Sequence, residues 1–563
     1  MRISFGFGVP GFKSKSGIQN PKLGTRNRMV AAFPLLRLAR DGGEKRGGFE
    51  TRKKKLGPLM HSLLMSDGLR RNAWKFPVKI AAKDRFRQIT YNELNSRVNQ
   101  LAHGFLSLGV RKGDEIAVLV GNRIEHLEII FATAKIGALA IPLDIKWKAL
   151  EIGSVLSALE PKFIILQEDC AQEFEKAKSL KDLHFIKSIL FSSDLTYGGL
   201  LNGQSSDEPP VQVHEDDPFA VLLTSGTTGL PKGCLATHRT FVFHCINNAI
   251  EKGLGVHDTA LLSSPIYFNA GRSFTLGIIY FGGTMILHER FDAEDVLKAI
   301  EQEKVTYIGV VPTMCERMLH VLESRKYDTS SLRCLAITGG KVHPLVLDGL
   351  KKNVTPNIYR TYASTDSGQM AISKPSDMDG KPNAAGRPVW CVELRIVDDN
   401  NKPVGVNKVG EIICQSPLAT QGYYKNPEAT NASFRDGWFY TGDLGYFDEE
   451  GYLFVAGRKK DMVKSGGISI YPLEIESVLY GHPDVLEAAV IGVPDAQWGE
   501  AVKAVIVLKS GSNIRGEDLI QFCKERLAAY KVPKSVAIVS SLPHTEIGKV
   551  NKVRIKEMVL GDA

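Results

Sequence analysis

The ten residues Thr224 to Gly233, TSGTTGLPKG, restrict this chain more than any other stretch. Four hydroxyl side chains, three glycines and one lysine follow an apolar run, Asp217 to Leu223 (DPFAVLL), that reads as a buried strand. Behind them Thr237 is placed to cap a helix running through Phe241, Cys245 and Ile250. Glycine lets backbone N–H groups turn toward an anion, hydroxyls add donors, and Lys232 adds a point charge, so the segment is suited to hold a phosphate between a strand and a helix. It is not a Walker A loop, because Lys232 follows Pro231 and precedes Gly233, and Cys234 stands where the magnesium-binding hydroxyl belongs. The P-loop NTPase folds are thereby disfavoured.

Strands and helices alternate around this loop. A helix is predicted over 93–108, with Leu94, Val98, Leu101 and Phe105 at helical spacing and Gly109 to end it, followed by a strand over 115–120. Phe131 to Asp144 joins a small-residue helix end to another strand, and 163–166 continues the alternation expected of a layered α/β domain. Beyond the loop, Ser264 to Gly271 (SPIYFNAG) is an aromatic-bearing turn, and 305–311 is a buried strand ending at Pro312. Leu335 to Gly340 (LAITGG) reaches a glycine pair, and Ile358 to Gly368 (IYRTYASTDSG) is a strand opening into a polar loop. Short strands at 392–397, 409–415 and 438–440 read as a small β-subdomain. The charged run Arg458 to Lys464 (RKKDMVK) has no helical face and reads as a hinge, after which helix, two strands and helix form a compact α+β unit. The fold class expected is α/β: a large layered N-terminal domain over 59–457 with a small β-subdomain, a hinge over 458–464, and a small α+β C-terminal domain over 465–563.

Composition sets bounds. With 563 residues, 43% hydrophobic and 24% charged, the chain has material for one large domain and a smaller one, and no apolar run approaches the ~18 residues of a membrane span. Residues 1–58 carry 14 Lys/Arg against three acids, a net of +11, which leaves −2 for the remainder of a chain whose total is +9. The basic balance therefore belongs to this leader, and the body gives no charge argument for nucleic acid. The leader fits a disordered tail, a targeting peptide, or residues upstream of a start at Met60. Its GFGVPG matches GxGxxG, but no strand precedes it and Pro10 interrupts it. Eight cysteines without a CxxC read as reduced thiols in a cytoplasmic setting, and thirteen histidines without an HExxH disfavour a structural zinc. Peripheral membrane contact, and the choice between monomer and homodimer, stay open.

The decapeptide resembles the nucleotide loop of the adenylate-forming superfamily: acyl- and aryl-CoA synthetases, nonribosomal adenylation domains and beetle luciferases. Other segments resemble that family's motifs in its order, among them Gly410 to Tyr424, Gly451 to Glu476 and Leu527 to Pro533, so that the resemblance spans about residues 65 to 555. It implies an ATP site of Thr224, Ser225, Gly226, Thr227, Thr228, Gly229, Lys232, Gly339, Gly340, Tyr362, Thr365, Asp443, Arg458 and Lys549. Within YASTD it implies that the Tyr362 ring stacks on adenine, that Thr365 contacts phosphate and that Asp366 holds Mg2+. Asp366 departs from the family's usual Glu, and its shorter reach favours metal contact through water. YTGD implies that Asp443 accepts the ribose hydroxyls, with Arg458 on ribose and phosphate. LPHTEIGK implies that Lys549 is the catalytic lysine, acting with Thr365 and Asp366; His544 replaces the family's first lysine there.

The resemblance further implies that the small domain swings about Lys460 after adenylation and presents Lys464 and Gly467 to the thiol-transfer step. The activity implied is that of an ATP-dependent acyl-CoA synthetase using MgATP and coenzyme A, acting on a small-molecule carboxylic acid. The acyl pocket is expected to draw on Tyr267, Phe268, Asn269, Gly271, Gly340, Lys341 and Ala363. Gly340 and Ala363 leave room for a medium- or long-chain fatty acid, whereas Lys341 and Arg272 leave open an acid with a second polar group. An aryl acid, or loading of a carrier protein in place of CoA, are the alternatives; a noncatalytic nucleotide sensor is disfavoured by Lys549 and Asp366, and a hydrolase by the want of a GxSxG elbow.

Overall fold

A computed structural model describes residues 63–190, 197–224, 231–340, 342–544 and 550–561. The basic leader, 1–58, lies outside them. Fifteen strands build the two main sheets: β1 (Ile80–Lys83), β2 (Gln88–Thr90), β3 (Glu115–Leu119), β4 (Leu139–Pro142), β5 (Phe163–Leu166), β6 (Lys187–Leu190), β7 (Pro218–Thr224), β8 (Lys232–Thr237), β9 (Thr259–Leu262), β10 (Thr284–Leu287), β11 (Tyr307–Val310), β12 (Cys334–Ile337), β13 (Ile358–Ser364), β14 (Gly368–Ser373) and β15 (Arg387–Pro388). One sheet has the order β6-β5-β3-β4-β7-β8, parallel except for β8; the other runs β15-β14-β13-β12-β11-β9-β10-β1-β2, parallel from β13 to β1. Strands β4, β5 and β12 (LAIP, FIIL, CLAI) are buried at every position, as interior parallel strands covered on both faces must be.

Helix 91–107 shows how local chemistry sets an element. It begins two residues before the predicted start, because Thr90 and Glu93 form a capping box: the Glu93 N–H donates to Thr90 Oγ1 at 3.3 Å and the Thr90 N–H to Glu93 Oε2 at 2.9 Å. Leu94, Val98, Leu101 and Phe105 are fully buried, each contributing roughly 1.5 to 3 kcal/mol, and Gly109 follows at φ +86°. The next helix, Ile124–Ile136, is buried on almost every side. Its Glu128 carboxylate is enclosed and accepts from Arg97 Nε at 2.6 Å, Arg87 Nη2 at 3.0 Å and the Tyr197 hydroxyl at 2.5 Å.

The two sheets are joined at their carboxyl edges. Asn122, just beyond β3, donates through Nδ2 to the carbonyls of Ser264 (2.9 Å) and His288 (2.8 Å), which follow β9 and β10, and its Oδ1 accepts from the Ile266 N–H at 2.8 Å. A parallel sheet directs its strand ends and loops to one edge, where ligands bind in open α/β folds. Here both sheets present that edge together.

One expectation is corrected. The phosphate-type segment does not lead from strand directly into helix: Lys232 opens β8, which pairs antiparallel with β7 up to Thr224, and the helix His238–Lys252 starts only after β8. Thr237 does cap that helix, accepting from the Thr240 N–H at 3.2 Å.

A five-stranded sheet follows over 393–458; its strand Trp438–Phe447 runs seven residues past the predicted 438–440. Arg458 ends the strand Leu453–Arg458, Lys459–Asp461 form a single 3-10 turn, and Val463–Ser465 opens the last sheet. The C-terminal part, with strands Val485–Asp495 and Gly499–Leu508 and helices Pro472–Tyr480 and Gly516–Lys524, has its own core around Val463, Ile475, Leu479, Val490 and Leu519. The chain is thus a large α/β domain followed by a small α+β one. Among the described residues no helix is long and apolar enough to cross a membrane.

Candidate active site

Asp443 is the best-defined element of the site. It lies in the strand Trp438–Phe447 directly across the ladder from Arg458, so antiparallel register brings carboxylate and guanidinium together. Arg458 Nε stands 3.1 Å from Oδ1, while the Tyr362 hydroxyl, near the end of β13, donates to Oδ2 at 2.7 Å. The Asp443 N–H donates to Thr441 Oγ1 at 3.0 Å, fixing the turn at Gly442, whose φ of +69° suits glycine. Burial first, and the Asp443 charge second, push the Tyr362 hydroxyl well above its ordinary pKa, so it remains a donor. Three of the expected nucleotide residues are therefore one bonded cluster.

A second cluster surrounds Asp366. It sits in the turn between β13 and β14, where its backbone carbonyl accepts from the Thr420 N–H at 2.7 Å. Its Oδ1 accepts from the Tyr423 hydroxyl at 2.6 Å, and the Cys234 thiol of β8 lies 3.6 Å from the same oxygen. Lys232 Nζ lies 4.9 Å from the Tyr423 ring centroid, so one tyrosine meets the hairpin lysine with its face and the carboxylate with its hydroxyl. Thr224 closes the hairpin base, its Oγ1 donating to the Lys232 carbonyl at 3.2 Å. Thr365 is half-buried in the Asp366 turn. Ser225, Gly226, Thr227, Thr228 and Gly229, with Lys341 and Lys549, lie outside the described residues.

Among the described residues no group of three or more His, Cys, Asp or Glu side chains could hold a metal ion. Asp366 offers one carboxylate oxygen, Oδ2, beside the one engaged by Tyr423. That set fits a magnesium ion carried in on a polyphosphate, which needs only one or two carboxylates and completes its shell with phosphate and water.

At the carboxyl end of β12, Gly339 has φ +90°, where glycine is favoured, and Gly340 is exposed. Ala363 is exposed near the end of β13. Tyr267 is buried with its ring edge-on to Phe268, centroids 4.9 Å apart, and Phe268 and Asn269 begin the helix Asn269–Phe281. At Gly271 a Cβ would lie 2.4 Å from the Pro265 carbonyl oxygen, so close backbone approach accounts for this glycine. Farther along, Lys460 is exposed in the 459–461 turn, the Lys464 N–H donates to Glu500 Oε2 at 2.7 Å, and Gly467 has φ +81°.

Sequence reasoning missed Tyr423 and the bonding role of the Tyr362 hydroxyl. Nothing local signals either; each contact spans more than fifty residues and is set by how the sheets pack.

The chain as a whole has known relatives. The AMP-binding enzyme family matches residues 69–424, and the AMP-binding enzyme C-terminal domain matches 474–549. The chain belongs to the AMP-binding enzyme family, within the adenylate-forming superfamily. It is 36% identical over 490 residues to a feruloyl-CoA synthase of Amycolatopsis sp, covering 86% of this chain and 97% of that one. It is 33% identical over 494 residues to a 2-succinylbenzoate–CoA ligase of Bacillus licheniformis, with coverage of 86% and 98%. A long-chain-fatty-acid–CoA ligase of Mycobacterium tuberculosis is 33% identical over 473 residues, with coverage of 84% and 93%. Among solved structures, ATP-bound MatB from Rhodopseudomonas palustris superposes with a TM-score of 0.81 at 28% identity, over 88% of this chain and 98% of that one.

Proposed function

We propose that this chain, an AMP-forming acid–CoA ligase, activates an aryl or similarly compact carboxylic acid and passes the acyl group to coenzyme A. The observation that carries the reading is the Asp443 carboxylate, held from two sides by Tyr362 and Arg458. A carboxylate has about four lone-pair positions. Two are in use among the described residues, and the two that remain suit the two hydroxyls of a ribose.

In the first half-reaction a carboxylate oxygen of the acid attacks the α-phosphorus of ATP, and pyrophosphate leaves with the electrons of the broken P–O bond. In the second, the CoA thiolate attacks the acyl carbon and AMP departs. Tyr362 supplies a ring for adenine, Asp443 and Arg458 position the ribose, and Lys232 with the hairpin tip and Thr365 bind phosphate. Lys549 neutralises the approach of two anions. Asp366 would hold the magnesium, which supplies charge neutralisation on the polyphosphate. With 59–457 and 465–563 as domains and 458–464 as the hinge, rotation about Lys460 withdraws Lys549 and brings Lys464 and Gly467 to the thiol step.

The adjacent, edge-on rings of Tyr267 and Phe268 support an aryl acid, as does the feruloyl-CoA synthase among the relatives. The fatty-acid reading draws on the small residues Gly340 and Ala363 and on the fatty-acid ligase among the relatives. All eight cysteines are unbonded and seven are buried, which supports a reducing, cytoplasmic setting.

The test is pyrophosphate and AMP release across a panel of aryl and alkyl acids, with and without CoA. CoA-dependent AMP release with at least one acid is expected. Pyrophosphate formation with AMP release indifferent to CoA would point to a carrier-protein acceptor, and no pyrophosphate with any acid would end the ligase reading.

A further inference from the structure

Arg272 is the largest fully buried side chain among the described residues, at 0% exposure, and none of its three guanidinium nitrogens has a hydrogen-bond partner among them. Arginine carries five N–H donors and a permanent charge, and a buried charge is ordinarily paired. Burial lowers its pKa only to about 9, so it is charged at neutral pH.

Its surroundings share the anomaly. His126 Nδ1 lies 2.7 Å from the Val120 carbonyl, so that nitrogen carries the proton and Nε2 presents a lone pair; Nε2 is buried and has no partner among the described residues. Burial, then the Arg272 charge, hold this ring neutral, with a pKa of about 3. Asn269, three residues before Arg272 on the same helix face, likewise has a buried Oδ1 with no described partner. These groups stand where Asn122 joins the carboxyl edges of the two sheets, the edge that also bears Gly339, Tyr362 and Asp366. Arg272 follows directly on Phe268, Asn269 and Gly271.

We propose that Arg272 is a specificity residue that binds a second carboxylate, carried by the acid substrate at the end remote from the carboxyl that is activated. The substrate class is then a dicarboxylic acid, with His126 and Asn269 as the polar neighbours of the distal group. This rests on the ligase reading above. A planar carboxylate can accept two parallel N–H bonds from a guanidinium and cancel its charge. An alkyl or unsubstituted aryl terminus would cover the cation without pairing it, and a hydroxyl would leave the charge uncompensated. A purely structural arginine would reach a carboxylate or several carbonyls, and Arg272 reaches none among the described residues.

The experiment compares wild type with Arg272→Met, similar in length but uncharged, and with Arg272→Lys. Pyrophosphate release is measured on dicarboxylic acids and on monocarboxylic acids of matched length, both aryl and alkyl. Wild type is expected to prefer the diacids, and the diacid-to-monoacid ratio of kcat/KM to fall roughly 10²-fold or more in Arg272→Met, with Arg272→Lys between. Thermal unfolding provides a readout independent of turnover: without ligand, Arg272→Met should melt no lower than wild type, since an unpaired buried charge has been removed, and diacid alone should raise the melting temperature of wild type but not of the variant. Equal use of mono- and diacids by wild type, or a ratio unchanged in Arg272→Met, overturns the assignment while leaving the ligase reading intact. A variant that melts lower with unchanged selectivity marks Arg272 as structural. If no acid yields pyrophosphate, the ligase reading and this inference fall together.

Discussion

Replacing Tyr362 by Phe keeps the ring that would stack on adenine and removes only the hydroxyl that donates to Asp443 Oδ2 at 2.7 Å. A hydrogen bond to a charged acceptor is worth about 1.5 to 3 kcal/mol, or roughly 10- to 150-fold in an equilibrium constant. Arg458 still anchors the other oxygen at 3.1 Å, so the loss belongs in the lower half of that range. The KM for ATP should rise roughly 10- to 30-fold on the same scale, with kcat changing much less. Initial rates of pyrophosphate release against ATP concentration give the number, and 2′,3′-dideoxy-ATP identifies the cause. If Tyr362 acts by aiming Asp443 at the ribose, wild type should lose affinity for the dideoxy nucleotide, and Tyr362→Phe should add little further loss, because both changes remove one interaction. An unchanged KM for ATP, or an equal penalty from Tyr362→Phe on ATP and on dideoxy-ATP, would refute the reasoning.

Other outcomes are expected as well. Lys549→Ala should slow acyl-AMP formation by roughly 10²-fold or more while sparing thioester formation from supplied acyl-AMP; equal damage to both half-reactions, followed by rapid quench, would contradict a swinging domain. Asp366→Asn should raise the magnesium concentration for half-maximal rate by about tenfold or more, with Asp366→Glu tolerated, and an unaltered magnesium titration in Asp366→Asn would take this residue out of the site. His126, His238 and His244 are buried and neutral, with pKa values lowered by burial to about 3, 4 and 4. Below the ordinary histidine pKa of about 6.5 the unfolded chain takes up protons that the folded chain refuses, so stability should fall as the pH drops from there toward 4. Urea midpoints at pH 7.5 and 5.0 check this, and equal midpoints would contradict it.

The parts legible in the sequence were those set by neighbours in the chain. Thr237 announces its helix because a hydroxyl stands just before an apolar period, and Phe163–Leu166 announces a strand because four apolar residues in a row suit a parallel sheet. The start of helix 91–107 is equally local: Thr90 and Glu93 set it two residues before the start that the apolar spacing predicts. The strand Lys232–Thr237 was not legible: KGCLAT has no clean alternation, and its strand character comes from pairing with β7. The long strand at 438–447 was hidden by Gly442 and Gly445, which interrupt its pattern. In the site, the resemblance to the adenylate-forming superfamily picked out Tyr362, Asp366, Asp443 and Arg458, but that Tyr362 meets Asp443, or Tyr423 meets Asp366, depends on register across separate sheets. Arg272 was visible as a cation that leaves open an acid with a second polar group; that its nitrogens lack partners among the described residues was not.

The side-chain amide of Asn122 bears on how such a protein can diversify. Because three short bonds from one buried group tie the ends of β3, β9 and β10 together, the distance between the two sheets at their shared rim is pinned. A larger or differently charged acid cannot be accommodated by prying the sheets apart. On the proposed acyl pocket it would be met by exchanging residues along that rim, such as Phe268, Arg272 and Gly340. On that proposal, substitutions there would re-address the enzyme to a new acid without displacing Tyr362 or Asp443, so that selectivity would drift through single changes while the nucleotide site is inherited whole.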